Sequence, residues 1–357
     1  MVGTAHRSTG VDGVDGGVGL TALLVAAARA IETHRQDSLA RDIYAEHFVQ
    51  AAPASVDWPI RIQQVPEGDA DPLWGRFARY FGLRTRVLDD FLLRSVQTDA
   101  RQVVLLGAGL DTRAYRLDWP ADCVVFEIDQ PGVLAFKHEV LDRLSAVPKA
   151  TRIPVPVDLR ADWVAALTAA GFDPAAPSAW LAEGLLFYLP HAVETQLIDT
   201  VHRLSADGSA LAYEAKLEKD LLQYRDSPLY TATKDRIGID LLNLFNLEPR
   251  PDSAGDLAGR GWSTSVHTPF DFTRRHGRGP LPEPNDALEG NRWVFADKSP
   301  RSNGASRCGA LPPGRGRGRR GGRVVGGFRL PRYGIRTGLT TRPDSQSRSA
   351  WLMSASG

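Results

Sequence analysis

Short apolar runs and helix-spaced apolar stripes alternate through the middle of the chain. Residues 103–106, 124–128, 153–157, 180–182 and 210–213 form apolar runs of strand length, the pattern of parallel strands covered on both faces. Between the last two, Val193, Leu197, Ile198, Val201 and Leu204 follow Pro190 along one helical face, as a crossover helix between parallel strands requires. This alternation predicts βαβ units wound on both sides of a sheet. Upstream, Leu20, Leu23, Leu24, Ala27 and Ile31 recur at helical spacing, and Val87, Leu88, Phe91 and Leu92 form a second stripe. N-terminal helices are therefore expected over 18–100. Downstream, 217–247 reads as a helical insertion over the ligand edge of the sheet, with further strands at 262–267 and 292–296.

The chain has 357 residues, 43% apolar and 24% charged, which fits one large α/β domain with insertions. Its net charge of +1 averages two unlike parts. Residues 1–297 hold 30 basic and 41 acidic side chains, whereas 298–357 hold 13 basic ones against Asp344 alone. The expected organisation is a flexible 1–17, one domain over 18–297 and a tail over 298–357. Twelve Gly, twelve Arg and five Pro without an apolar period predict a disordered tail. Arg/Gly composition also suits phosphate contacts, so a nucleic-acid binder acting through the tail is the non-enzymatic alternative, although a nucleic-acid partner is not expected. Cys123 and Cys308 are the only cysteines, which excludes a cysteine-based zinc site within one chain; no metal is expected, and a reducing, cytoplasmic setting is. No run reaches the roughly 18 apolar residues of a spanning helix, so no membrane partner is expected. The apolar stretch 18–28 has signal-peptide length, but Asp12 and Asp15 stand where positive charge belongs.

Candidate chemistry begins where the first run ends. Gln102-Val-Val-Leu-Leu-Gly107-Ala-Gly109-Leu-Asp111-Thr-Arg113 passes from strand to Gly-X-Gly turn, where small residues let a ligand approach backbone N–H groups. The next run ends in Glu127 and Asp129, twenty and twenty-two residues after Gly107, the distance at which an acid meets ribose hydroxyls. A nucleoside site is implied. Thr112 replaces the third Gly of a dinucleotide fingerprint, and no Gly-x-x-x-x-Gly-Lys-Ser/Thr loop occurs. A phosphate-free nucleoside, S-adenosylmethionine, fits this pattern, and Asp111, Glu127, Asp129 and Asp158 would attract its cationic groups. A NAD(P)-dependent reductase, the alternative enzyme, shares strand, turn and acid but requires the missing Gly.

Four ordered segments carry a specific resemblance: Gly107-Ala-Gly-Leu-Asp-Thr-Arg-Ala-Tyr-Arg116, Phe126-Glu-Ile-Asp-Gln-Pro131, Pro156-Val-Asp-Leu159 and Ala182-Glu-Gly-Leu-Leu-Phe-Tyr-Leu189. They resemble the leucine carboxyl methyltransferase family, and most closely its actinobacterial branch of S-adenosylmethionine-dependent methyltransferases. The likeness spans 18–297, including Arg84-Thr-Arg86 and Gly261-Trp262; the Arg/Gly tail has no counterpart in the family pattern. It implies a class I methyltransferase: a Rossmann-like, doubly wound, mostly parallel seven-stranded sheet with N-terminal helices and a helical lid.

The resemblance also implies that Gly107 lies beneath the methionine portion of the cofactor, Asp129 holds the ribose, and Asp158 and Leu159 contact the adenine. Glu183 contacts the cofactor after the fourth strand, and one of Arg84 and Arg86 pairs with its carboxylate. O-methylation of a carboxylate or hydroxyl on a small molecule or a protein is expected, and a carboxylate acceptor needs no base. No catalytic residue is assigned. Asp162 suits the following helix N-cap better than Asp158 does, and a buried Glu183 without a partner would be costly. His138, His191 and His202 read as surface or packing residues, and His267 is the better base candidate. Tyr188 and Tyr213 are candidates for the acceptor pocket.

Overall fold

A computed structural model describes residues 17–216 and 222–299. Seven strands, β1 (Gln102–Leu106), β2 (Val124–Asp129), β3 (Thr151–Pro156), β4 (Ser178–Ala182), β5 (Ala210–Lys216), β6 (Trp262–His267) and β7 (Asn291–Lys298), form one sheet in the order β3-β2-β1-β4-β5-β7-β6. The first five are parallel, and β7 lies antiparallel between β5 and β6. Strand order reverses at β1, which pairs with both β2 and β4; the crevice at such a reversal is where open α/β sheets bind ligands.

Side chains leave the sheet in two alternating layers. Val103, Leu105 and Leu181 point to one core, and Val104, Leu106, Phe126 and Trp180 to the other, which is why β1 and β4 are apolar at nearly every position. β3 departs from that expectation. Only Val155 is buried in it, because it is the sheet edge, where Pro154 and Pro156 discourage further pairing.

Three helices precede the sheet: α1 (Gly17–Thr33), α2 (Ala45–Ala51) and α3 (Trp74–Thr98). Asp71 starts α3 by accepting the backbone N–H groups of Leu73 and Trp74 at 2.9 and 2.7 Å. The helix is much longer than the 84–93 stripe suggests. α1 is covered beyond its predicted face, since Ala26, Ala28 and Ala30 are buried as well; it packs against both α2 and α3. Within the sheet region run α4 (Arg113–Arg116), α5 (Pro131–Arg143), α6 (Trp163–Ala169) and α7 (His191–Leu204). Beyond β5 come α8 (Pro228–Ile237), α9 (Leu241–Leu244) and α10 (Ser253–Gly259), with α11 (Pro269–His276) between β6 and β7. Lys298 belongs to β7 and donates to the His202 and Ser205 carbonyls, so the ordered sheet passes the expected boundary at 297. The N-terminal 1–16 and the tail from 300 lie outside the described residues. Among those described, no helix is long and apolar enough to cross a membrane.

One buried acid fastens α1 to α3. The Glu32 carboxylate occupies the space over Gly82, where an added Cβ would lie 2.4 Å from its Cγ. It accepts the Leu39 N–H at 2.7 Å and pairs with Arg35 at 3.3 Å. Burial nevertheless pushes its pKa from 4.5 up to about 7. Between those values the native state holds a proton that the unfolded chain has released, so this group's stabilisation is complete below pH 4.5 and is lost as pH rises to about 7. Glu32→Gln should remove the slope. Urea unfolding at about pH 4 and about pH 8 should show the variant gaining on the wild type by on the order of 3 kcal/mol; a pH-independent difference would reject the titration.

Candidate functional site

A cavity of about 1050 Å³ opens at the carboxyl ends of β1, β2, β4 and β5. Its base is the turn after β1, where Gly107 and Gly109 have φ of +65° and +48°, a region only glycine enters readily. A Cβ on Gly107 would also come within 3.0 Å of the Leu185 Cδ1. Two bonds tie this turn to β2: the Ala108 N–H donates to the Ile128 carbonyl at 2.9 Å, and the Gly109 N–H donates to Asp129 Oδ2 at 2.6 Å. The other Asp129 oxygen accepts the Gln130 N–H at 2.7 Å. Burial raises the Asp129 pKa. A carboxylate has about four lone-pair positions, so Asp129 keeps acceptor capacity on the cavity wall. Asp158 and Leu159 line the same wall after β3. Asp158 is paired with Arg160 at 2.9 Å, which lowers its pKa, while Asp162 caps α6 through the Ala165 N–H.

Glu183, just past β4, lies between two arginines. Arg84 reaches it from α3 at 2.9 Å and Arg113 from α4 at 2.6 Å. Arg84 also pairs with Glu214 on β5 at 2.7 Å, and Arg113 with Asp89 at 2.7 Å and with Asp111. Burial pushes the Glu183 and Asp111 carboxyls up, but the guanidiniums outweigh it. Glu183 is held below its usual value and Asp111 at about 2. Glu183 is therefore not the partnerless acid whose burial would be costly. Arg84 lines the cavity; Arg86 does not, being half-exposed and paired with Asp90 on its own helix.

Other expectations are corrected. Glu127 is fully buried, is clamped by Lys137 at 2.9 Å and Arg152 at 2.7 Å, and does not line the cavity. It cannot attract a bound cation directly, because its charge is already compensated. His267 packs edge-on against Phe272 and at a tilt against Phe295, with ring centroids at 5.3 and 6.1 Å, on the far strand pair away from the cavity. Tyr213 is packed in the core layer behind the site, whereas Tyr188 does line it.

Several lining residues escape sequence reasoning. Phe77, Tyr80, Phe81 and Arg84 occupy one face of α3, a spacing of three and four that reads as core packing until the helix is placed. Arg29 from α1 donates to the Leu110 carbonyl at 2.6 Å and pairs with Asp42 at 3.2 Å. Leu229, Tyr230, Leu241 and Phe245 come from the segment after β5, where the sequence shows only helical character.

The chemistry follows from this inventory. The helix after the turn has four residues, and its Arg113 N–H is already bonded to Asp111 Oδ1 at 2.6 Å. The turn therefore offers no open helix N-terminus to a pyrophosphate, as a dinucleotide site would. Among the described residues no histidine lines the cavity.

The sequence profile described as Leucine carboxyl methyltransferase matches residues 22–202. A protein of Streptomyces coelicolor named "Putative S-adenosyl-L-methionine-dependent methyltransferase" is 74% identical over 300 residues, covering 84% of this chain and 99% of that protein. A Rhodococcus jostii protein of the same description is 44% identical, covering 74% of this chain and 89% of its own. A solved putative methyltransferase from Thermobifida fusca superposes with a TM-score of 0.47 at 15% identity, over 83% of this chain and 100% of that one.

Gly107→Val should weaken S-adenosylhomocysteine binding by at least about tenfold, because a β-branched residue at positive φ strains the turn. Arg86→Ala should leave it unchanged. Calorimetric titration of both variants, with circular dichroism confirming the fold, decides this; normal binding by a folded Gly107→Val protein would place the site elsewhere.

Proposed function

We propose, for a chain that belongs to the leucine carboxyl methyltransferase family and uses S-adenosylmethionine, that it transfers the methyl group to a carboxylate oxygen of its acceptor. The observation that carries this reading is the pairing of the acids on the cavity wall with arginines, together with a lining that holds no histidine among the described residues. A hydroxyl acceptor benefits from a base with a pKa near the working pH, and most of the lining acids are instead tied up by cations. Asp111 and Glu183 are held low by arginines, Glu214 is paired with Arg84 and accepts the Tyr80 hydroxyl, and burial pushes Tyr188 up to about 12. A carboxylate arrives as an anion and needs no proton removed.

The residues present fit the cofactor. Asp129 retains lone pairs for ribose hydroxyls, and Asp158 with the Leu159 backbone stands where an adenine edge would be read. The glycine turn leaves the cavity floor free of side chain. The Arg84 Nε is buried with no hydrogen-bond partner among the described residues, a donor suited to the cofactor carboxylate. When bound, S-adenosylmethionine supplies a methyl carbon activated by the adjacent sulfonium. Glu183, fixed by Arg84 and Arg113, holds its negative charge at the cofactor end of the cavity. The α1 residues Thr21, Ala22 and Val25 also line the cavity, the Ala22 Cβ lying 3.8 Å from where a Cβ on Gly109 would stand. Rate enhancement then comes from alignment of acceptor oxygen and methyl carbon, an orientation effect that needs no covalent enzyme intermediate.

S-adenosylhomocysteine should raise the melting temperature by mass action, and NADH should not. With methyl-labelled cofactor and an acceptor-containing extract, the label should leave as volatile methanol after mild alkali, as a carboxyl ester does. A base-stable product would indicate an ether or amine and overturn the carboxylate reading.

A further inference from the structure

Beside its acidic groups, the cavity carries an aromatic lining. Phe77 and Phe81 of α3 contribute to it, as do Phe187, Tyr188 and Phe245. Phe187 meets Tyr188 and Phe245 edge-on at 4.7 and 5.1 Å between centroids. Tyr230, from the first turns of α8, adds its ring to Phe245 at 6.2 Å. Lys216 lies 5.4 Å over the Tyr230 ring and is itself held by the Ala287 carbonyl at 2.9 Å and the Asn291 side chain at 2.7 Å.

One atom in this lining is left unserved. Tyr230 is 5% exposed and lines the cavity, and its hydroxyl has no hydrogen-bond partner among the described residues. A buried polar group in that state costs free energy unless something completes it. Burial also raises its pKa, so the phenol stays protonated and acts as a donor rather than a base. Because the Tyr230 side chain lines the cavity, an acceptor oxygen on the ligand is one group that could complete this donor. The surrounding rings present flat apolar faces, which favour offset or edge-on contact with another ring. They offer few partners for peptide amides, and a peptide threaded here would lose hydrogen bonds to water without replacement.

Resting on the carboxylate reading above, we propose that the acceptor is a small carboxylic acid with a flat aromatic body. Tyr230 positions it by donating to the carboxylate oxygen that is not methylated. The ring-lined walls hold the body of the acid, and the bond from Tyr230 turns its free oxygen toward the cofactor end.

The test uses the full chain saturated with S-adenosylhomocysteine and titrated calorimetrically with 2-naphthoate and with a short peptide bearing a free C-terminal carboxylate. Naphthoate should bind more tightly than the peptide, and Tyr230→Phe should weaken it by about tenfold while leaving S-adenosylhomocysteine affinity unchanged. The unliganded Tyr230→Phe protein should melt no lower than wild type, since the hydroxyl it loses makes no internal bond; a lower melting temperature would mean the hydroxyl is structural and would overturn the assignment. Equal naphthoate affinity in both proteins would remove Tyr230 from acceptor positioning. Tighter binding of the peptide, or no binding of naphthoate to the loaded wild type, would overturn the acceptor class. Either result would leave S-adenosylhomocysteine binding and the base-labile product as separate measures of the methyl-transfer reading.

Discussion

The chain Asp89–Arg113–Glu183–Arg84–Glu214 runs through the interior and joins α3 and α4 to the ends of β4 and β5. Every member is nearly or fully buried, and removing one partner from such a group leaves a charge whose isolation costs about 3–5 kcal/mol. The members therefore have to be present together. Their mutual satisfaction ties α3 to the strand ends, and the same helix carries Phe77, Tyr80 and Phe81, which belong to the buried core and also line the cavity. Tyr80 extends the chain by donating to Glu214, and Asn291 on β7 donates to Tyr80 at 2.7 Å. The far strands are thereby coupled to the same network.

This arrangement also sets the electrostatics. A site lined by carboxylates is expected to attract cations, yet most of these carboxylates are matched by guanidiniums that hold them ionised and hydrogen-bonded. What remains unmatched is directional: lone pairs of Asp129, and the buried Nε of Arg84 and hydroxyl of Tyr230, which have no hydrogen-bond partner among the described residues. Such a wall is built to orient a ligand by directional hydrogen bonds, which suits the methyl transfer proposed above. The glycine turn belongs to the same logic, because Asp129 accepts the Gly109 N–H and thus braces the turn at the base of the cavity.

Much of this was legible in the chain. Strands 103–106 and 124–128 lie at the switch point as their apolar runs imply, and Gly107, Asp129, Asp158, Leu159 and Glu183 all line one cavity although 76 residues separate the first from the last. These positions are readable because each sits at the end of a strand, and strand ends in a parallel sheet converge on one edge. Turn chemistry and strand periodicity are local, so their signal survives in sequence alone.

The partnerships were not legible. Glu127 and Glu183 look alike in sequence, each an acid on or just past an apolar strand, but the pleat and the neighbouring helices send one to Lys137 and Arg152 in the core and the other to the cavity. Arg84 and Arg86 are two residues apart, and the helical rotation of about 200° between them points one inward and the other to solvent. Tyr230 and Phe245 acquire meaning only where the segment after β5 folds back over the sheet. Sequence by itself determined which residues end strands and which carry charge. Tertiary packing decided which charges meet, because ion pairing depends on distances set by elements far apart in the chain, which no local pattern records.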